Sequence, residues 1–258
     1  KNKPMKHKIY LSLFLIVLAI MASGQISLID QYNVVWNSQS KNSSVSMPCG
    51  GGDIGLYFWV EQSDVLFYIS KSGFFDENNQ LLKAVRVRLK LSPNPFENEV
   101  FRQELNFKDG LNAKIMIWVD VLRPVVHVEV EANRKIELTS GYETWRYEDR
   151  VLQKMEAFAC SYKWAAPEGL KTRKDVVGFE GNSVLFVHRN QEPAIFDATV
   201  KNQGMDAVKD QLFNPLKNLT FGGKMLGQNM VPSGNYEGKC LDTEYKGWLL
   251  KSKAAAQK

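Results

Sequence analysis

From Ala84 to Leu91 the chain alternates without a break. Val85, Val87, Leu89 and Leu91 fall on one side, Arg86, Arg88 and Lys90 on the other. A period of two marks a half-buried strand, because successive side chains leave a strand in opposite directions. The basic row could bind an acidic ligand, but a solvated sheet face is the favoured reading. Val125–Ala132 repeats the pattern, with Val126, Val128 and Val130 against His127, Glu129 and Glu131. Two denser apolar runs, Ile54–Val60 and Val65–Ser70, flank Glu61-Gln62-Ser63-Asp64 and predict a strand, a short turn and a strand. Phe101–Phe107 and Leu111–Asp120 flank Lys108-Asp109-Gly110, a hairpin signal. Shorter strands are expected at Ile136–Thr139, Ser183–His188 and Tyr245–Lys251.

Helical patterns are scarce. Met205–Phe213 places Val208, Leu212 and Phe213 on one face and is stopped by Asn214-Pro215. Arg150–Ala159 is a second helical candidate. Lys71–Asn79, Ser92–Pro95, Pro167–Gly169 and Lys171–Asp175 read as loops. Leu219–Gly223, Gly227 and Pro232–Gly234 read as turn-rich. Many short strands with one polar face predict a mainly β fold, an antiparallel β-sandwich with one or two short helices.

The stretch Trp36–Ser70 carries the most information. A polar Ser/Asn loop runs into Gly50, Gly51, Gly52 and Gly55, and formally Gly50-x-Gly52-x-x-Gly55 is a dinucleotide-binding fingerprint. That motif needs a strand before it and a helix after it, so that the pyrophosphate meets the helix N-terminus. Here strands follow, so the glycines are read as a loop entering a sheet, where positive φ and close backbone approach are needed.

Trp36-Asn37-Ser38-Gln39-Ser40, Met47-Pro48-Cys49-Gly50-Gly51-Gly52-Asp53-Ile54-Gly55 and the hairpin after them resemble the N-terminal β-sandwich domain, of unknown function, of Bacteroidota glycoside-hydrolase-like proteins. Pro48 to Gly55 is distantly similar to the entry segment of the α-L-fucosidases of glycoside hydrolase family 95, with Gly51 where that pattern has Asn. The resemblance extends over nearly all the chain after its first residues, including Phe221-Gly222-Gly223 and Lys246-Gly247-Trp248. It implies a galactose-mutarotase-like super-sandwich. It also implies a helical barrel beyond Lys258, so that residues 25–258 form a single β-sandwich domain cut short at its C-terminal end. The catalytic carboxylates of the resembled enzymes belong to that barrel, and none is carried over to this chain.

Composition adds an address. Lys6-His7-Lys8, an apolar run over Ile9–Met21 and the small residues Ala22-Ser23-Gly24 predict a signal peptide over residues 1–24 and an exported protein, periplasmic or extracellular. The formal charge of +5 depends on Lys1, Lys3, Lys6 and Lys8; without them 29 basic residues face 28 acidic ones. No clustered basic face points to nucleic acid. Cys49, Cys160 and Cys240 allow one disulfide in any of three pairings, or three small buried residues, and the second reading is favoured.

Candidate chemistry is thin. His127 and His188 match no zinc spacing. No cofactor is implied. Asp76-Glu77-Asn78-Asn79 lacks the full calcium-loop pattern and reads as a solvated turn. Glu143, Glu148 and Asp149 stand beside Trp145, Arg146 and Tyr147, acids mixed with rings as a sugar site requires. Trp59 and Trp118 lie inside predicted strands and read as core. Trp36, Asn37, Trp145 and Arg146 adjoin polar loops and are the candidates for carbohydrate contact. The leading expectation is a non-catalytic domain of a secreted glycoside-hydrolase-like protein acting on carbohydrate, inactive alone. A free-standing carbohydrate-binding module and a small glycosidase using Glu143 and Glu148 are the alternatives.

Overall fold

Every strand pairing among the described residues is antiparallel. The computed structural model describes residues 40, 42–62, 64–92, 105–106, 112–160 and 167–253, all within one unit, Ser38–Lys258. The expected signal segment over 1–24, Trp36 and Asn37 lie outside the described residues. In chain order the strands are β1 (Met47–Gly51), β2 (Ile54–Glu61), β3 (Asp64–Phe75), β4 (Leu81–Ser92), β5 (Leu105–Asn106), β6 (Asn112–Val119), β7 (Val126–Ala132) and β8 (Glu137–Thr144). Then follow β9 (Arg150–Val151), β10 (Lys171–Thr172), β11 (Val176–Glu180), β12 (Ser183–Arg189), β13 (Thr220–Leu226), β14 (Met230–Cys240) and β15 (Thr243–Ser252).

Seven strands form one large sheet in the order β1-β2-β3-β4-β8-β15-β14. Two three-stranded sheets, β5-β6-β7 and β11-β12-β13, supply the opposing layer. The core lies between them. Val60, Val65, Phe67, Val85, Val87, Leu89, Tyr142, Trp248 and Leu250 come from the large sheet, Ala113, Val184 and Phe186 from the small ones. The apolar row of β4 therefore faces inward as its alternation predicts, and so do Val126, Val128 and Val130 of β7. The fold is a mainly β antiparallel sandwich, not a closed barrel.

The glycine-rich stretch forms β1 and a two-residue turn, with Gly51 paired to Ile54 and Gly52 at φ +59. A strand precedes the turn and a strand follows it, so the geometry of a dinucleotide site is absent there.

The structure corrects several expectations. β3 runs on to Phe75 rather than ending in a loop at Lys71, and the turn after it is buried, not solvated: Asp76, Glu77 and Asn78 are each 0–1% exposed. Met205–Phe213 is no α-helix. Asp206–Gln211 forms a 3-10 helix, and Val208 and Phe213 are exposed. Among the described residues the α-helix is α1 (Ile195–Asn202), which buries Ile195 and Val200. Arg150–Ala159 divides into β9 and a 3-10 helix, Lys154–Ala159. The turn-rich segments are strands: Gly222 and Gly223 lie in β13, and Pro232–Gly234 sit at a register shift in β14. Trp118 is exposed and stacks on His127 at 4.9 Å instead of entering the core. All three cysteines are free.

Candidate functional site

Alternation that fills the core with one row of each strand sends the other row to the outer face of the large sheet. The register aligns these outward residues in rows across the strands. One row runs Tyr68, Arg86, Glu143, Gly247, Tyr236, and its neighbour runs Trp59, Leu66, Arg88, Gly141, Leu249. Above them lies a depression of about 990 Å³. Asn42–Ser44, the β2–β3 turn and the end of the β14–β15 hairpin border it.

The basic row of β4 is only in part the solvated face its alternation implies: Lys90 is exposed, Arg88 half-buried and Arg86 buried. Arg86 is 3% exposed. Its Nε donates to Glu143 Oε2. Arg88 donates from Nε to Glu143 Oε1 at 2.6 Å and from Nη1 to Asp64 Oδ2 at 2.7 Å. Tyr236 donates its hydroxyl to Glu143 Oε1 at 2.7 Å. Fully buried Glu143 thus accepts from two guanidinium groups and a phenol. Burial works against the charge of Arg86 and Arg88, and Glu143 more than restores it, so both are raised above the usual guanidinium range. Burial, then the carboxylate beside it, drives the Tyr236 phenol well upward. Such a network stands only if each buried charge is paired and hydrogen-bonded.

Aromatic rings complete the surface. Trp59 and Tyr68 lie 4.9 Å apart between centroids, and Trp59 Nε1 donates to Glu61 Oε2 at 2.9 Å. The Arg86 guanidinium carbon stands 4.9 Å from the Trp145 ring centre and 4.5 Å from that of Tyr245, distances at which a cation is attracted by the ring faces. Glycines in the sheet make room for the rings. Tyr236 occupies the space a side chain at Gly247 or Gly141 would fill, and Tyr245 that of Gly238.

The residues singled out from the sequence divide. Trp145 is half-buried and supports Arg86 from below, outside the lining of the depression. Arg146 is buried, and its Nε and Nη2 grip Asp175 at 3.0 and 2.9 Å. Trp36 and Asn37 lie outside the described residues. Glu148 is exposed on the segment after β8, whereas Glu143 is sealed within it.

Arg146 leads to a second buried network, on the other side of the sheet. Asp175 also meets His188 Nδ1 at 3.0 Å, and His188 Nε2 meets Glu77 Oε2 at 3.2 Å. Glu77 Oε1 accepts from Arg173 N, and its backbone carbonyl accepts from Ile195 N at the start of α1. Burial opposes charge on His188, but hydrogen bonds to Asp175 and Glu77 outweigh it and raise the imidazole to about 9. Burial pushes neighbouring Asp76 up to about 6, against a hydrogen bond from Gln80 N. This cluster ties the β3–β4 turn to β12, α1 and the segment before β11. No three His, Cys, Asp or Glu among the described residues gather as a metal requires.

Tyr68, Tyr236 and Tyr245 escaped sequence reading, whereas Arg86 was legible as part of the outward basic row. A signal was present: Tyr236-Glu237-Gly238 and Tyr245-Lys246-Gly247 carry the same spacing, and in the ladder each tyrosine opposes the other's glycine. A family model described as domain of unknown function (DUF5703) matches residues 35–258. Neither the comparison with curated proteins nor that with solved structures returns a match.

Proposed function

Because the chain belongs to that family of domains of unknown function, we propose its role from the outer face of the large sheet: a saccharide-binding surface. We further infer that the chain serves as the non-catalytic N-terminal β-sandwich of an exported glycoside-hydrolase-like protein, as its resemblance to such Bacteroidota domains implies. The observation that carries the reading is the depression of about 990 Å³, lined by half-buried Tyr68 and Tyr236 and by buried Trp59 and Tyr245, among Asn, Ser, Arg, Lys, Asp and Glu side chains. Sugars present apolar C–H faces and a rim of hydroxyls. Rings and fixed polar groups match both, and a pre-formed concave site avoids the ordering cost of a flexible one.

Catalysis by Glu143 with Glu148 fits the geometry poorly. A glycosidase needs one carboxyl to protonate the leaving group and another to act on the anomeric centre. Both oxygens of Glu143 already accept from protein donors, and the residue is fully buried.

Glycan-array binding by the full chain tests the reading. Binding should be retained by the wild type and fall about tenfold or more in Tyr68→Ala, the size of one lost stacking contact. Failure to bind any glycan overturns it. Glycoside cleavage by the chain alone, abolished in Glu143→Gln, would replace it with the hydrolase reading.

A further inference from the structure

The charges around the depression are unevenly committed. At the end nearest the β2–β3 turn the carboxylates are engaged: Glu61 accepts from Trp59, while Asp64 takes Arg88 Nη1 at 2.7 Å and Lys90 Nζ at 3.3 Å. At the opposite end two basic side chains keep donors uncommitted. Arg86 lines the depression, and its buried Nη2 has no hydrogen-bond partner. Lys239, on the rim, is exposed and forms no ion pair among the described residues. A buried donor without an acceptor is left with its desolvation uncompensated, so such an atom calls for an explanation.

The same end carries a backbone outlier. Cys240 pairs with Thr243, so Leu241 and Asp242 form a two-residue hairpin tip. Leu241 takes φ 55 there, is 92% exposed and still lines the depression. Turns of this type favour Asn or Gly at such a position, and strain of this kind collects at ligand sites.

We propose that the Arg86–Lys239 end of this surface binds the anionic group of an acidic saccharide, a carboxylate or a sulfate ester. The inference rests on the saccharide reading above and deepens it. The ring faces of the Arg86 guanidinium are covered by Trp145 and Tyr245, so its Nη2 edge is the part left to meet an anion. Tyr68 stands next to Arg86 in the same row of the sheet and flanks that edge. Lys239 closes on the anion from the rim, and Leu241 covers an apolar patch of the sugar.

The test measures binding of glucuronate, galacturonate, glucose 6-sulfate and glucose to the full chain by protein-observed NMR titration. Lys239→Glu and Arg86→Lys are compared, their folding checked by circular dichroism. The acidic sugars should bind about tenfold or more tightly than glucose, and both variants should remove that difference. Arg86→Lys keeps the charge beside Glu143 but lacks the Nη2 edge. Glucuronate and glucose 6-sulfate distinguish a carboxylate from a sulfate. Glucose binding as tightly as the acids, or acid binding that survives in Lys239→Glu, overturns the inference and leaves the saccharide reading standing. Absence of binding by every sugar, neutral or acidic, overturns both.

Discussion

Tyr236 rests on Gly247. The two oppose each other across the β14–β15 ladder, and the ring fills the volume a methyl group at 247 would need. The contact sets the aim of the Tyr236 hydroxyl toward Glu143, and through Glu143 the placement of Arg86 and Arg88. Gly247→Ala should cost about 1–3 kcal/mol, the usual penalty for overpacking, read as a lowered urea midpoint at unchanged slope. The companion change Gly238→Ala, beneath Tyr245, should do the same.

Glu143→Gln should be more damaging. It removes the one carboxylate shared by two arginines, one of them only 3% exposed. Breaking a buried ion pair by deleting one partner costs about 3–5 kcal/mol. Denaturant melts would show the loss, and a change below about 1 kcal/mol would contradict the buried geometry.

The His188 cluster makes stability depend on pH. The imidazole is raised from its ordinary 6.5 to about 9 in the folded chain, so the native state binds a proton the unfolded chain releases. Its stabilisation is complete below about pH 6.5 and is lost as pH rises through 9. The loss is on the order of 2–3 kcal/mol. Urea midpoints from pH 6 to 9 should fall in the wild type and flatten in His188→Gln.

Asp76 acts in a lower window with the same sign. Its folded value is raised to about 6 from 3.8, and its Oδ2 is buried without a partner. The native state therefore holds a proton between about pH 4 and 6, and stability contributed by this group declines as pH rises through that range. Asp76→Asn keeps an Oδ1 that accepts from Asn78 N and Gln80 N and no longer titrates. The difference between variant and wild type should shift in the variant's favour from pH 4 to pH 7.

Leu241→Gly should stabilise the chain by about 1 kcal/mol, because glycine enters the left-handed region without the Cβ penalty. If Leu241 contacts ligand, the same change should weaken saccharide binding. A gain in both would show that the tip serves no ligand.

The sandwich was legible where the pattern was strict. β2, β3, β4, β7, β12 and β15 each carry alternating or dense apolar runs, and their inner rows do meet in the core. β13 and β14 were hidden by Gly222, Gly223, Pro232 and Gly234, which break propensity but suit a close approach to Phe186 and a register shift. The α-helix buries only two side chains, too few to leave a readable stripe. Burial of the charged rows was beyond local reading for a different reason. Arg86 takes its carboxylate from a residue 57 positions away, and no alternation within β4 reports what the neighbouring strand holds.

Long reach also governs time. The turn at Asp76–Asn78 joins partners 93 and 111 residues further along, at Lys171 and His188. A chain built on contacts so distant in sequence must close large loops before any of them stabilises it, and chains of this kind fold slowly. Until the segment around His188 is available, Glu77 and Asp76 are carboxylates in water and the two layers have no clasp. β1 to β4 leave the ribosome before that segment and expose the apolar face of a half-made sheet through the interval, which makes aggregation during synthesis a hazard for this domain.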